Sequence, residues 1–354
     1  MRKESLDFLK KLMDTISPSG FEEEAMRTWE DRAKMFADEV KPDVLGNSIA
    51  VLNKSGSPKI MLAGHIDEIG FMVKYINKEG YIYFSTIGGV DLHLVPGQRV
   101  WIKSKKDKVL GVIGKKPIHL LEEEEKKKVA KIEELWIDIG AKDERQARSI
   151  ISVGDPIVPA VGLEILNNDI MVGRGFDDKA GAFVISETLK ILSQKRPKAS
   201  LYGVATVQEE IGLRGARTSA YGISPDIGIA VDVTFATDFP SMDKKKVGDI
   251  KIGKGPVIAR GPNINPKIFD FLVEVAEKEK IPYQIEGISK ATGTDANIIQ
   301  LTKTGVATGL VSIPNRYMHT QVELISFKDL ENTSKLLSAF VLKFNKKIDL
   351  LPYS

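Results

Sequence analysis

Cysteine is absent from this 354-residue chain. Disulfides and thiolate metal ligands are therefore excluded, and any transition metal must be held by imidazole and carboxylate. Histidine is scarce as well: His65, His93, His119 and His319 are the whole supply. No apolar run approaches the roughly 18–20 residues of a membrane span. The first seven residues, Met-Arg-Lys-Glu-Ser-Leu-Asp, lack the apolar core of a signal peptide. An excess of one charge is missing too, since 51 basic and 48 acidic residues leave a net charge of +3, no field for nucleic acid. These absences leave a soluble, cytoplasmic enzyme as the expectation, with neither membrane nor nucleic acid as a partner. With 42% hydrophobic and 28% charged residues, the chain has ample core and length for two domains. Dense Lys and Glu without Cys also fits a thermophile.

Leu6, Leu9, Leu12 and Met13 share one face at helical spacing. Ser17-Pro18-Ser19-Gly20 ends that helix, and Ser19 with Glu22 reads as a capping box opening a second helix through Ala37. Strands are expected at 48–52 and 59–63. From about Gly70 to Gly162 the texture changes to short strands at 71–76, 81–87, 99–103 and 109–113, punctuated by Gly and Pro, with no long helix. This reads as a small β-domain inserted into an α/β chain, dividing it into 1–69, 70–162 and 163–354. Glu122–Lys128, four Glu and three Lys, reads as a solvated loop or frayed helix. The α/β pattern resumes from Asn168. Helices are expected at 180–192, 266–280, 295–301 and 326–346, and strands at 200–207, 226–231 and 307–313.

Chemistry-bearing residues follow the apolar runs. His65-Ile66-Asp67 follows 60–63, Asp177-Asp178-Lys179 follows 170–172, Glu209-Glu210 follows 204–207, and Asp232 ends 227–231. His319 follows the last strand by six residues. Open α/β sheets place their chemistry at such strand ends. Two imidazoles and several carboxylates can hold two divalent cations, which points to metal-assisted hydrolysis. Asp67 is placed to accept the other ring N–H of His65. Asp177 and Asp178 read either as helix caps or as a bridging carboxylate. In the Glu209-Glu210 pair one carboxylate can bind metal while its neighbour serves as general base; the alternative is a salt bridge to Arg214 or Arg217.

These segments resemble a known family, the tetrahedral (TET) or deblocking aminopeptidases, archaeal-type dinuclear-metal peptidases akin to glutamyl aminopeptidases. The resemblance spans essentially the whole chain. It rests on His65-Ile66-Asp67, Gly175-Phe176-Asp177-Asp178-Lys179, Val207-Gln208-Glu209-Glu210-Ile211-Gly212-Leu213-Arg214-Gly215-Ala216, Ala230-Val231-Asp232-Val233, Gly293-Thr294-Asp295-Ala296 and Arg316-Tyr317-Met318-His319. It implies a zinc-exopeptidase-like mixed sheet flanked by helices, with the insert a small PDZ-like β-barrel for dimerisation and six dimers closing into a hollow dodecamer. It further implies that Asp177 bridges two metal ions, zinc or cobalt. His65 and Asp232 would complete one site, Glu210 and His319 the other. Glu209 would be the general base, Asp67 would orient His65, and Thr294 and Asp295 would border the substrate. The expected activity is removal of N-terminal residues from short peptides. Glu286 and Asp295 in the pocket loop favour a basic or neutral side chain. A carboxypeptidase or deacylase of the same clan, an inactive assembly protein and a glycoside hydrolase are the alternatives. For the last, adjacent Glu209 and Glu210 are poorly placed to bracket a sugar.

Overall fold

A computed structural model describes residues 3–344 and 349–353. Four apolar runs, Ser200–Thr206, Lys59–His65, Ile227–Phe235 and Ala307–Asn315, lie side by side and parallel. Both faces of these strands are covered, which is why they read as near-continuous hydrophobic stretches rather than alternating ones. They form the centre of an eight-stranded mixed sheet. Ser48–Leu52 and Glu39–Pro42 extend it on one side; Val257–Arg260 and Gln284–Gly287 extend it on the other. Helices Lys3–Met13, Glu23–Ala33, Phe176–Lys195, Pro266–Lys278 and Phe327–Lys343 bury one face around Leu9, Trp29, Phe183, Leu272 and Phe340. Arg214–Ile223 and Asp295–Ile299 bury the other around Met61, Val204, Ala216 and Ile299. Among the described residues no helix is long and apolar enough to cross a membrane.

The sheet register sets the site. Thr206 lies beside His65, and Asp232 beside Ser312. Asp232 is two residues beyond the Ala230–Ala63 pair, which brings it level with His65. The strand expected to stop at Val231 therefore continues through Asp232 to Phe235, because Val233, Thr234 and Phe235 carry the strand pattern onward.

The inserted segment forms a closed six-stranded barrel: Gly70–Ile76, Ile82–Ile87, Trp136–Asp138, Lys108–Gly114, Arg99–Lys103 and Pro156–Pro159. Its own core contains Phe71, Phe84, Val100, Ile137 and Ile157. Trp136–Asp138 and Pro156–Pro159 escaped the sequence reading because strands of three and four residues carry too little alternation. The charged stretch at 122–128 holds only an exposed turn of helix, Glu123–Lys126. A small sheet of Glu164–Ile165, Ile170–Gly173 and Glu323–Ser326 stands apart from the main one. The apolar run before Asp177 thus belongs to this side sheet, where Gly173 pairs with Glu323.

Two expected helix boundaries differ. Ser19 and Glu22 form no capping box: the second helix is Glu23–Ala33, and Glu22 makes no side-chain cap. Ser19 donates instead to Asp67 at 2.6 Å, and the Glu22 carboxylate accepts from the Gly20 and Gln208 amides at 2.6 and 3.2 Å. Partners brought by the tertiary fold have displaced the local cap. The closing helix runs to Lys343, and its expected last residues, 345 and 346, lie outside the described residues.

Beneath the junction of helix and sheet lies a buried ionic triad. Glu68 accepts from Lys179 Nζ at 2.7 Å and pairs with Arg174. Arg174 and Lys179 both also donate to the Thr15 carbonyl, at 3.0 and 3.2 Å. Burial alone would raise the Glu68 carboxyl, but the two cations hold it down at about 2. Burial pulls Lys179 down to about 8 despite its partner. Glu68→Gln should cost about 3–5 kcal/mol in urea unfolding at pH 7, because it strands two buried cations. Since the folded Glu68 titrates below the unfolded value of about 4.3, its contribution is complete above that pH. The gap between wild type and variant should therefore close as pH falls from about 4 toward 2. A gap independent of pH would remove the ionic explanation.

Candidate metal centre

Six chemistry-bearing side chains converge on one cavity of about 370 Å³ at the C-terminal ends of the parallel strands: His65, Asp177, Glu209, Glu210, Asp232 and His319. His65 ends its strand and is 2% exposed. Its Nδ1–H donates to the Asp67 carbonyl at 3.1 Å, because a carbonyl can only accept. That leaves Nε2 facing Asp177 Oδ1 at 3.0 Å and Asp232 Oδ1 at 3.9 Å. His319 repeats the arrangement from the opposite side. Its Nδ1–H donates to the Gly89 carbonyl at 2.9 Å, and its Nε2 faces Asp177 Oδ2 at 3.2 Å and Glu210 Oε1 at 3.6 Å. The two oxygens of Asp177 thus address two different imidazoles.

Asp177 and Asp178 open the Phe176–Lys195 helix, joined by a cis peptide bond, with non-helical backbone at both. Their side chains diverge. Asp178 is fully buried and accepts from the His65 amide at 3.2 Å and the Gly181 amide at 2.9 Å. A Cβ at Gly181 would fall 2.3 Å from an Asp178 oxygen, so this helix turn requires glycine. Asp178, committed to two amides, is a structural anchor for the His65 strand, whereas Asp177 faces the cavity.

Glu209 and Glu210 lie just past the strand Ser200–Thr206, in a turn that starts with Gln208 in the left-handed region at φ 57°. The Glu209 carbonyl closes the turn by accepting from the Gly212 and Leu213 amides, both at 2.9 Å. Asp67 fixes its position: Oδ1 accepts from the Glu209 amide at 3.1 Å, and Oδ2 from the Glu210 amide at 3.2 Å and from Ser19. The Asp67 carboxylate lies 3.5 Å from His65 Nδ1, farther than its own carbonyl. Its carboxylate therefore holds the Glu209-Glu210 turn, and its backbone orients His65. Neither Glu pairs with Arg214 or Arg217 among the described residues; Arg214 reaches Gln208 at 3.4 Å. Glu210 Oε1 is buried without a hydrogen-bond partner. The Glu209 carboxylate enters no side-chain hydrogen bond among the described residues.

Glu323 was not anticipated from the sequence. It is 1% exposed, and its two oxygens accept from the Asp177 amide at 3.1 Å and the His319 amide at 3.0 Å. Its place opposite Gly173 in the side sheet makes this reach possible. One clue was available in the sequence: an acid directly preceding the apolar Leu324-Ile325 pair. Of the expected substrate residues, Thr294 lines the cavity. Asp295 is turned inward, accepting from Thr206 Oγ1 at 2.6 Å, and does not line it. Glu286 does line it, held by the Thr234 hydroxyl at 2.8 Å. His93 and His119 lie in short helical turns of the inserted segment, outside this constellation.

Burial and mutual repulsion push Glu209 up to about 10 and Glu210 and Asp232 up to about 8. Asp177, against burial, is driven below the carboxylate range by His319 and His65. The Asp177 carboxylate raises His319 to about 9. Two imidazole nitrogens facing one carboxylate, with each ring's other nitrogen already donating, require a proton or a cation in each gap. Donor atoms around a tetrahedral zinc at about 2.1 Å stand about 3.4 Å apart; here the separations are 3.0–3.9 Å. The donor set fits divalent metal: donor atoms of His65, Asp177 and Glu210, and of His65, Asp178 and Asp232, gather within 4.8 Å of one another, so Asp178 stands at the edge of the same cluster.

Comparison with known proteins places this architecture among peptide hydrolases of the aminopeptidase class. A TET aminopeptidase structure from a Thaumarchaeota archaeon superposes with a TM-score of 0.93 at 36% identity, covering 97% of each chain. A TET1 peptidase of Pyrococcus horikoshii, described as able to assemble into a tetrahedron or a large octahedral shell, superposes at 0.87 with 32% identity, over 96% of this chain and 100% of that one. A lysyl aminopeptidase of Pyrococcus furiosus is 41% identical over 98% of this chain and 99% of its own. The chain belongs to the M42 glutamyl aminopeptidase family, whose model matches residues 46–336.

The role of Asp67 in the turn is open to test. Asp67→Ala should expose the Glu209 and Glu210 amides, at a cost of about 1–3 kcal/mol per unsatisfied buried group. Hydrogen–deuterium exchange of the peptide spanning 207–213 should accelerate. Unchanged protection there would mean that the turn is held by its own bonds.

Proposed function

We propose that this protein is a cytoplasmic dinuclear-metal aminopeptidase that releases single residues from the free N-terminus of short peptides. The observation that carries this reading is the two-sided engagement of Asp177 by His65 and His319. Asp177 with His65 and Asp232 would hold one cation, and Asp177 with Glu210 and His319 the other. Zinc or cobalt bound there would polarise the scissile carbonyl and acidify water. Glu209, buried and free of competing hydrogen bonds, takes the proton from the attacking water and returns it to the leaving amine. Asp67 keeps Glu209 in place through its amide. Carboxylates lining the cavity would supply the acceptor for the substrate's α-ammonium, which favours aminopeptidase over carboxypeptidase or deacylase chemistry. Thr294 on the cavity wall would contact the substrate, with Asp295 buried behind it.

Replacing Asp177 with Ala should cost both cations, since it alone is shared. Glu209→Gln should keep both and lower kcat by about 10²–10⁴. Metal analysis finding two ions in the Asp177 variant would sink the bridging role, and near-normal turnover in metal-loaded Glu209→Gln would sink the base.

The side-chain preference follows from the wall. Of the two acids expected there, only Glu286 lines the cavity, so basic or neutral N-terminal residues should leave faster than acidic ones. Mass spectrometry of short peptides should show stepwise N-terminal ladders from free peptides and little action on acetylated ones. Internal fragments ahead of ladders would defeat exopeptidase action, and faster release of Glu than Lys would defeat the pocket assignment.

The barrel is the proposed dimerisation domain, with six dimers closing into a dodecamer; the Pyrococcus horikoshii relative supports the assembly class. Light scattering should give a particle of twelve 39.0 kDa chains. Deletion of residues 70–162 should yield a smaller one. A full-size particle after deletion would exclude the barrel as the assembly element.

A further inference from the structure

The two imidazoles of the site are held by different means. His65 sits at the end of a central strand and is 2% exposed. His319 is 36% exposed and lies in a loop whose backbone is left-handed at Tyr317, φ 61°, and at His319 itself, φ 62°. Non-glycine residues adopt that conformation only when their surroundings impose it. Among the described residues outside the barrel, the bond that fixes the His319 backbone there is the acceptor supplied by Glu323 at 3.0 Å. The bond that fixes its ring comes from the inserted segment. It is the 2.9 Å contact with the carbonyl of Gly89, in the segment that follows the barrel strand Ile82–Ile87.

That segment is built for close approach. Gly88 has φ 75°, and a Cβ there would meet Ile69 Cγ2 at 2.8 Å and Glu210 Cβ at 3.4 Å. A Cβ at Gly89 would meet His319 Nδ1 at 3.3 Å and Cε1 at 3.5 Å. The Gly88-Gly89 pair therefore lies directly on Glu210 and His319. These are the two residues that, in the reading above, belong to one cation position and not to the other.

We infer that the Gly88-Gly89 loop of the inserted barrel is a positioning element of the metal centre, with the Gly89 carbonyl fixing His319 in the tautomer and orientation that present Nε2 to one of the two cations. The inference rests on the two-cation reading of the site. A carbonyl accepts from Nδ1–H only, so it keeps the proton off Nε2 and turns the ring toward Asp177 and Glu210. Partners of this kind to metal-binding histidines change metal affinity about 10–100-fold when lost. The His65 position has no equivalent dependence, because its ring is fixed by the Asp67 carbonyl, two residues beyond the end of its own strand.

The test is a cobalt titration of the metal-free, full-length protein, followed by visible d–d absorption and by metal analysis after dialysis. Wild type should take up two ions per chain, and His319→Ala should lose one of them. Gly89→Ala and Gly89→Val place a side chain against the ring without altering any side chain of the constellation, and Gly89 is not left-handed. Both variants should bind the first ion with wild-type affinity and the second about 10–100-fold more weakly, Val more than Ala. Retention of the first ion shows in the same titration that the variant is folded. Two ions bound with wild-type affinity by Gly89→Val would overturn the inference. So would equal weakening of both ions, since the loop would then act on the fold as a whole. A wild type that binds fewer than two ions, or a His319→Ala variant that keeps both, would overturn the two-cation reading itself, and with it the inference.

Discussion

The structure turns on one carboxylate placed between two rings that have no other way to face. Each imidazole spends its Nδ1–H on a backbone carbonyl, Asp67 for His65 and Gly89 for His319. Both remaining nitrogens then point at Asp177. Such a contact is unfavourable without positive charge between the partners, and the same is true of Glu210 and Asp232 beside them. The surrounding fold is arranged to keep these groups in place despite that cost. Glu323 holds the amides of Asp177 and His319, Asp178 holds the His65 amide, and Asp67 holds those of Glu209 and Glu210.

A second layer of charge sits beneath the first. Glu68, Arg174 and Lys179 form a buried triad that ties the residue after the His65-Ile66-Asp67 segment to the residues flanking Asp177. Arg174 and Lys179 also converge on Thr15 from the N-terminal connection. Three segments far apart in sequence are pinned at the point from which two of the site's side chains project. Replacement of such a triad by apolar residues is often neutral for stability, so what it provides here is position rather than energy.

Much of this was legible in the sequence, because metal chemistry draws on few residue types and this chain has only four histidines. His65, Asp177, Glu209, Glu210, Asp232 and His319 stand out as charged residues after apolar runs, and the structure brings all six to one cavity. The insert was visible as a change of texture. The supporting residues were hidden for a physical reason: Ser19 and Glu22 look like a local helix cap because capping and long-range hydrogen bonding use the same atoms. Only the tertiary fold decides that Ser19 serves Asp67. Glu323 carried no periodic signal, since its partners are backbone amides, which every residue owns. Asp232 was misplaced to a strand end because nothing local says that a carboxylate can sit within a buried strand.

The barrel's first and last strands, Gly70–Ile76 and Pro156–Pro159, are neighbours. The two ends of the barrel segment therefore lie close together. For a chain being synthesised, this sets an order of events. His65 leaves the ribosome first, and the whole barrel, with its own core, follows before the cavity-facing partners of that histidine are made. The main sheet gains its next strand only at Ser200, and the second imidazole arrives more than a hundred residues later. The Gly89 carbonyl that receives the His319 ring belongs to a segment made 230 residues earlier. The second imidazole is thus the last of the site's six side chains to be made, and a chain cut short before residue 319 carries only one of the two.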